Sequence, residues 1–330
     1  LSLRPAMPRA SSLTTAATAK AAAARPVGQP GAAGAVAHAV FNTMASTEAT
    51  LERFAVLGDG LAVAIWQRDT REAQTTYKQP GHHTLSYYMG GGYHTSRGER
   101  PGLYGAPRLL CTMPDWHESS WMVRGPLRFL HLYFMPEHFT RRAVVELDRE
   151  PRELTLADRT YFEDGRIDRL CEALVRLPWD GADQQLRANE LAHATLSELL
   201  QSQSAQKRQD GRLRGGLAPL VRRRLADYIE DNLGSGITLG MLAQQANLSE
   251  FHLARMFRIS FGMPPSAWIA ARRLDRARAL LKGGELPLQQ VADACGYADL
   301  SHFSHRFRDG VGVPPSRYRS IVGVAAAPQS

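Results

Sequence analysis

The chain has 330 residues and a formal net charge of +8, with 40 Lys and Arg against 32 Asp and Glu. That length allows two domains, each with its own core, and the positive balance points weakly to a polyanionic partner. Cys111, Cys171 and Cys295 are too widely spaced for a disulfide framework or a CxxC metal site, and no apolar run approaches the ~18 residues of a membrane helix.

Residues 1–46 are rich in Ala, Ser, Thr, Pro and Gly, and no acidic residue precedes Glu48. Such a segment cannot bury a core, so we expect a disordered or non-native N-terminal extension, with Met44 a natural start and residues 1–43 open to question. From Phe54 to Phe134 the text changes to short apolar runs. Leu61–Gln67, Ala73–Lys78, Thr84–Met89, Arg108–Met113, Trp121–Arg124 and Leu127–Phe134 read as strands, separated by breakers such as Gly90-Gly91-Gly92 and Gly125-Pro126. Many short strands at close spacing predict a sandwich or barrel.

After Pro136 the chain turns helical. Ile167, Leu170, Leu174 and Leu177 mark one helix, and a second, about Asp183 to Gln201, carries an apolar stripe wide enough to cover the barrel or meet a copy of itself. Residues 202–216 are polar and end in glycine, as a flexible linker would. Pro219 opens a helix with Val221, Leu225, Ile229 and Leu233 inward. Between Leu217 and Ile321 there are 14 Lys and Arg against 9 Asp and Glu, so the positive charge does not reside in the tail alone.

The last part of the chain repeats itself. Leu242-Ala243-Gln244-Gln245-Ala246-Asn247-Leu248, followed by Leu253, Phe257, Gly262 and Pro264-Pro265, returns as Val291-Ala292-Asp293-Ala294-Cys295-Gly296-Tyr297, followed by Phe303, Phe307, Gly312 and Pro314-Pro315. Each copy has the pattern of a helix-turn-helix. A short helix has a small face, Asn247 or Gly296 takes the bend, Ser249 or Asp299 caps the second helix, and Gly-x-Pro-Pro ends it. Pro265 to Lys282 reads as one helix between the copies, with Ala270, Leu274, Ala277 and Leu281 on one face. It would hold two reading heads apart, and one DNA turn of ~34–36 Å would bring both to successive major grooves.

This region resembles the DNA-binding domain of the arabinose-regulator (AraC/XylS) family of bacterial transcription factors. The two repeats carry the likeness, with Arg272-Arg273-Leu274, Leu288 to Ala292, Gly296-Tyr297 and the closing Pro314-Pro315-Ser316-Arg317-Tyr318-Arg319. It covers roughly a third of the chain. The resemblance implies an α+β protein of two domains. Residues 47–201 would form a cupin-like β-barrel or jelly roll with a helical dimerisation segment, which senses a small-molecule effector. Residues 202–216 would be the linker and 217–321 an all-α domain of two helix-turn-helix motifs joined by a linker helix, with 322–330 a tail. It further implies a cytoplasmic, nucleoid-associated homodimer that binds double-stranded DNA and activates transcription through RNA polymerase, with no enzymatic activity and no cofactor.

Base reading should fall to outward residues early on each recognition helix. The resemblance places them at Phe251, Ala254 and Arg255, with Glu250 nearby, and the second copy offers Ser301, His302 and His305. Arg255 can take guanine bidentately and Phe251 can touch a thymine methyl. Phosphate contacts are expected from Ser249, Arg258, Arg272, Arg273, Arg306, Arg308, Arg317 and Tyr318, although Arg272 and Arg273 could instead pack on the core. In the sensor, Trp66, Tyr87, Tyr93, Trp116 and Trp121 would line an effector pocket with His83 or His117 as polar anchors. The competing reading is a metal-binding cupin enzyme or metal sensor fused to the DNA-binding domain. The His-x-His-then-Glu spacing it needs is absent, since His82 and His83 are adjacent and would point to opposite faces of a strand. We therefore expect no metal.

Overall fold

The computed structural model describes Met44 and residues 49–206, 215–284 and 286–322. The predicted extension (Met44 apart), residues 207–214 of the predicted linker and the tail from residue 323 lie outside the described residues.

The first half is built on one antiparallel sheet: β1 (Thr50–Val56), β2 (Leu61–Lys78), β3 (His83–Gly91), β4 (Ser96–Arg97), β5 (Leu110–Met113), β6 (Glu118–Phe134) and β8 (Arg159–Phe162). Their order is β1-β2-β6-β3-β5-β8, with β4 pairing off β6. Among the described residues nothing pairs β1 with β8, so the expected closed barrel does not form. Two pairs of predicted strands are single strands. Leu61–Gln67 and Ala73–Lys78 merge into β2 across a bulge between Thr70 and Ala73, and Trp121–Arg124 and Leu127–Phe134 merge into β6. The predicted breaker Gly125-Pro126 lies opposite Thr70 and Asp69, beside that bulge, where a missing amide donor and an extra residue are tolerated.

Strand alternation divides the sheet into two apolar faces. Val63, Ile65, Leu85, Tyr87, Leu130, Leu132 and Phe134 point to one face, and Ala62, Ala64, Trp66, Tyr88, Phe129 and Tyr133 to the other. The first face is covered by α1 (Pro136–Leu147), α2 (Gly165–Arg176) and α3 (Gly181–Gln203). Asp164 caps α2 by accepting from the Arg166 and Ile167 amides. Leu177 falls just beyond α2 instead of extending its stripe. The predicted linker begins inside regular structure. α3 runs to Gln203, and β9 (Ser204–Gln206) pairs with β7 (Leu154–Leu156).

The second half comprises α4 (Pro219–Asp231), α5 (Leu239–Ala246), α6 (Glu250–Phe261), α7 (Pro265–Gly283), α8 (Leu288–Ala294), α9 (Leu300–Val311) and α10 (Pro315–Val322). It has two cores. α7 contributes Trp268 and Ile269 to the first, around Leu253 and Phe257, and Ala277 and Leu281 to the second, around Phe303 and Phe307. Nineteen residues of helix span roughly 28 Å.

Most of the apolar stripe of α3 is used inside the chain, with Leu191 only partly buried. Ala188, Ala192, Leu196, Leu199 and Leu200 pack on the sheet-side core, whereas Leu186 joins the core of the second helix-turn-helix. The predicted dimerisation helix is thus an intramolecular wedge. Polar contacts follow the same seam. Asp183 takes Arg317, Glu190 takes Lys282 and the Tyr318 hydroxyl, Asp148 takes Arg222 and Arg223, and the Asp59 amide donates to the Gly310 carbonyl. At its centre is buried Asp59, which meets Arg278 and His193. Burial raises the Asp59 carboxyl, but Arg278 and His193 outweigh it and hold the group well below its ordinary range. Arg142 donates to Nδ1 of His193, so the opposite nitrogen, Nε2, carries the proton given to Asp59.

Candidate nucleic-acid interface

Each helix-turn-helix is set by its bend and its cap. Asn247 ends α5 in the left-handed region (φ 53°), and the Ser249 hydroxyl accepts the His252 amide to start α6. In the second copy Gly296 takes the bend (φ 73°), where a side chain would strike the Leu233 carbonyl, and Asp299 accepts the His302 amide at 2.7 Å. Leu253 and Phe257, like Phe303 and Phe307, are buried at i and i+4, which turns the opposite face of each second helix outward.

That outward face carries the predicted readers. Phe251 is 82 % exposed, and Arg255 and Arg258 lie on the same exposed side without a hydrogen bond or ion pair among the described residues. Ala254 is half-buried at the edge of this surface, and Ser249 and Glu250 are exposed at its start. On α9, Ser301, His302, His305, Arg306 and Arg308 are all exposed. His302 leans edge-on against Tyr297, and His305 pairs with Asp309 at 3.0 Å. Arg306 and Arg308 have no such partner among the described residues. An exposed arginine without an acidic partner is ready for a phosphate or a base edge.

Four of the predicted phosphate contacts are engaged elsewhere. Arg272 clamps α7 to α4, bonding both carboxylate oxygens of Glu230 and one of Asp275. Arg273 donates to the Leu233 and Ser235 carbonyls and lies over the Tyr297 ring. Tyr318 is buried, with its hydroxyl on Glu190. Arg317 is exposed but bidentate to Asp183, at 2.7 and 2.6 Å. Their acidic or carbonyl partners lie at least 38 positions away, apart from Asp275, so spacing in the sequence gave no sign of them.

The predicted effector residues do not converge. Trp66 and Trp121 share the inner face, the one opposite the helices, where Trp66 donates to the Tyr133 hydroxyl and Trp121 to Ser119. Tyr87 lies on the helix-covered face, and His83 packs there against Phe134 and Phe139. Tyr93 is exposed on a loop. His117 is fully buried, bonded to Ser119 and 3.5 Å from Asp158, which in turn receives both nitrogens of Arg97. This chain pins β6 to β4 and β8. The inner face does hold a cavity of about 30 Å³ beside Arg68, Tyr88, Trp121 and His131, room for about two waters. Arg68 and Tyr88 were missed, although strand alternation, carried through the pairing of β2, β6 and β3, sets them on the Trp66 side. As adjacency required, His82 meets Tyr133 on one face and His83 meets Phe134 on the other. Burial pushes the imidazoles of His82 and His131 down to about 4 and about 3.

The profile of a helix-turn-helix domain family matches residues 242–321. The probable transcriptional regulator LumQ of Photobacterium leiognathi is 33 % identical over 96 residues, which cover 29 % of this chain and 39 % of LumQ. The match therefore spans well under half of that relative's length. The multiple antibiotic resistance protein MarA of Salmonella typhimurium is 30 % identical over 95 residues, 29 % of this chain and 75 % of MarA. Among solved structures, a probable AraC family transcriptional regulator from Rhodopseudomonas palustris is 31 % identical, covering 31 % of this chain and 95 % of that one, with a TM-score of 0.28.

Proposed function

Since the chain belongs to the AraC/XylS family of transcriptional regulators, we propose that it binds specific double-stranded DNA through both helix-turn-helix heads, under control of the sheet domain. The observation that carries this reading is the outward face of α6. Phe251 there is 82 % exposed and Arg255 and Arg258 are unpaired among the described residues, an arrangement that serves no core. Arg255 takes a guanine edge, Phe251 packs on a thymine methyl, and Arg258, Arg306 and Arg308 take phosphates. On α9, Ser301 and His302 face the same partner, with His305 weakened as a donor by Asp309.

The sheet domain acts as the effector-responsive part, because its acids hold side chains of α4, α7 and α10. A ligand that favours one arrangement of this seam shifts the population able to engage DNA. Activation through RNA polymerase extends the family resemblance. A homodimer, equally a family expectation, has to use a surface other than the covered stripe of α3. No helix among the described residues is long and apolar enough to cross a membrane.

Binding-site selection with the full chain tests the reading. It yields paired motifs on one duplex face, and Arg255→Ala erases the preference at one base position at a cost of ~1–3 kcal/mol. Salt-sensitive binding without any motif, or Arg255→Ala with every preference intact, overturns it.

A further inference from the structure

A cleft of about 300 Å³ lies between α1 and α3 on one side and α7 on the other. That volume is at the lower bound of small-molecule sites and ten times the inner cavity of the sheet. Five Arg and Lys side chains line it against three Asp and Glu, and Val145 and Ala279 are its only apolar residues. Most of the cations are already matched. Arg142 bonds Glu146 and Ser197, Arg278 meets Asp59, and Lys282 meets Glu190.

Arg141 is the exception. It is only 8 % exposed, yet it makes no hydrogen bond or ion pair among the described residues. Asp59 reaches it only as a field, without contact. Beside it, Nε of Arg278 is buried with no acceptor. A guanidinium on a side chain this enclosed ordinarily has a partner, and this one opens onto a cleft with room for a ligand.

We propose that the cleft binds a small oxyanion, a carboxylate or phosphate group gripped by the Arg141 fork and shared with Arg142 and Arg278. The scarcity of apolar wall selects a compact polar molecule over one with a long hydrocarbon tail. Because α1 and α7 belong to different halves of the chain, the anion is held by both. Its affinity and that of DNA are then linked reciprocally. The site gives the chemical class of the effector proposed above, and it rests on that reading for its regulatory consequence, not for its existence.

Isothermal titration of the full chain at constant ionic strength, with inorganic phosphate and succinate as separate probes, tests the site. At least one probe binds saturably, and which one does distinguishes phosphate from carboxylate ligands. Arg141→Met, close in volume, weakens that Kd at least tenfold while its unfolding midpoint without anion is kept or raised, since an unmatched buried charge has been removed. If that variant does not fold, Arg141→Lys is read instead, and loss of the fork weakens binding severalfold. No saturation by either probe, or wild-type affinity in the variant that folds, overturns the proposal. Duplex binding measured on the same preparations separates the two readings. An empty cleft beside intact DNA binding removes the anion site and leaves the regulator.

Discussion

Arg317 offers the sharpest test of how the two halves of the chain are coupled. It is a phosphate contact by its place in the sequence, and in the structure it is held by both carboxylate oxygens of Asp183. The side chains are 53 % and 41 % exposed, so water and salt screen the pair, and its own share of stability is about 1 kcal/mol or less. Asp183→Asn therefore leaves folding nearly unchanged. It frees Arg317 and removes a carboxylate that competes with phosphate. Affinity for a random-sequence duplex should rise by up to about 1 kcal/mol, roughly fivefold. One added phosphate contact also steepens the slope of log K against log salt by about 0.9. Fluorescence anisotropy between 50 and 200 mM salt (roughly the range over which such slopes are read) measures both. Arg317→Ala in the Asp183→Asn background restores the shallower slope, whereas in the wild-type background it changes little. An unchanged slope in Asp183→Asn, or equal effects of Arg317→Ala in the two backgrounds, would refute the competition.

Gly296→Ala forces a side chain into a left-handed bend and against the Leu233 carbonyl, so it should destabilise the chain by at least about 2 kcal/mol in urea unfolding. A midpoint within error of wild type would show that the turn relaxes freely. Phe251→Ala should keep stability within about 0.5 kcal/mol because the ring is exposed, while weakening binding to the selected site by about 1–3 kcal/mol. Equal affinity in the two proteins would remove Phe251 from the interface. His82 and His131 resist protonation in the fold, whereas in the unfolded chain they take protons near pH 6.5. Between about pH 6.5 and 4 only the unfolded state gains these protons, so stability falls with pH, by about 1.4 kcal/mol per unit for each histidine. Urea titrations at several pH values should show a shallower dependence for His131→Asn, and identical slopes would exclude His131 as a contributor.

The double helix-turn-helix could be read from the sequence because its determinants are local. Asn247 and Gly296 mark the bends, Ser249 and Asp299 the caps, and Phe303 with Phe307 the buried face, each within one or two turns of helix. The sheet was harder. Gly125-Pro126 breaks a strand by every local rule, and only its pairing with Asp69 and Thr70, 55 positions and more away, keeps β6 continuous. The same distance hid the fate of the arginines. Arg255 and Arg272 look alike in a sequence, but Glu230 pairs with Arg272, whereas Arg255 has no acidic partner among the described residues. The scattered effector set has another cause. Aromatic content alone does not carry the odd-and-even parity that sends Trp66 and Tyr87 to opposite sides of the sheet.

The wedge formed by α3 limits how this chain can be recombined with its relatives. A shared helix-turn-helix segment invites exchange of sensory halves by cutting near residue 207. Such a hybrid would inherit Arg278, Lys282 and Arg317 without Asp59, Glu190 and Asp183, and a hole where Leu186 enters the second core. Its second head would be looser and more basic, and its first would lose Val144 from its core and Asp148 from Arg222 and Arg223. Compatible donors can be picked by whether they supply acids and a leucine at the matching turns of their own last sensory helix and an acid in the turn between their first two strands, a criterion that overall identity does not capture.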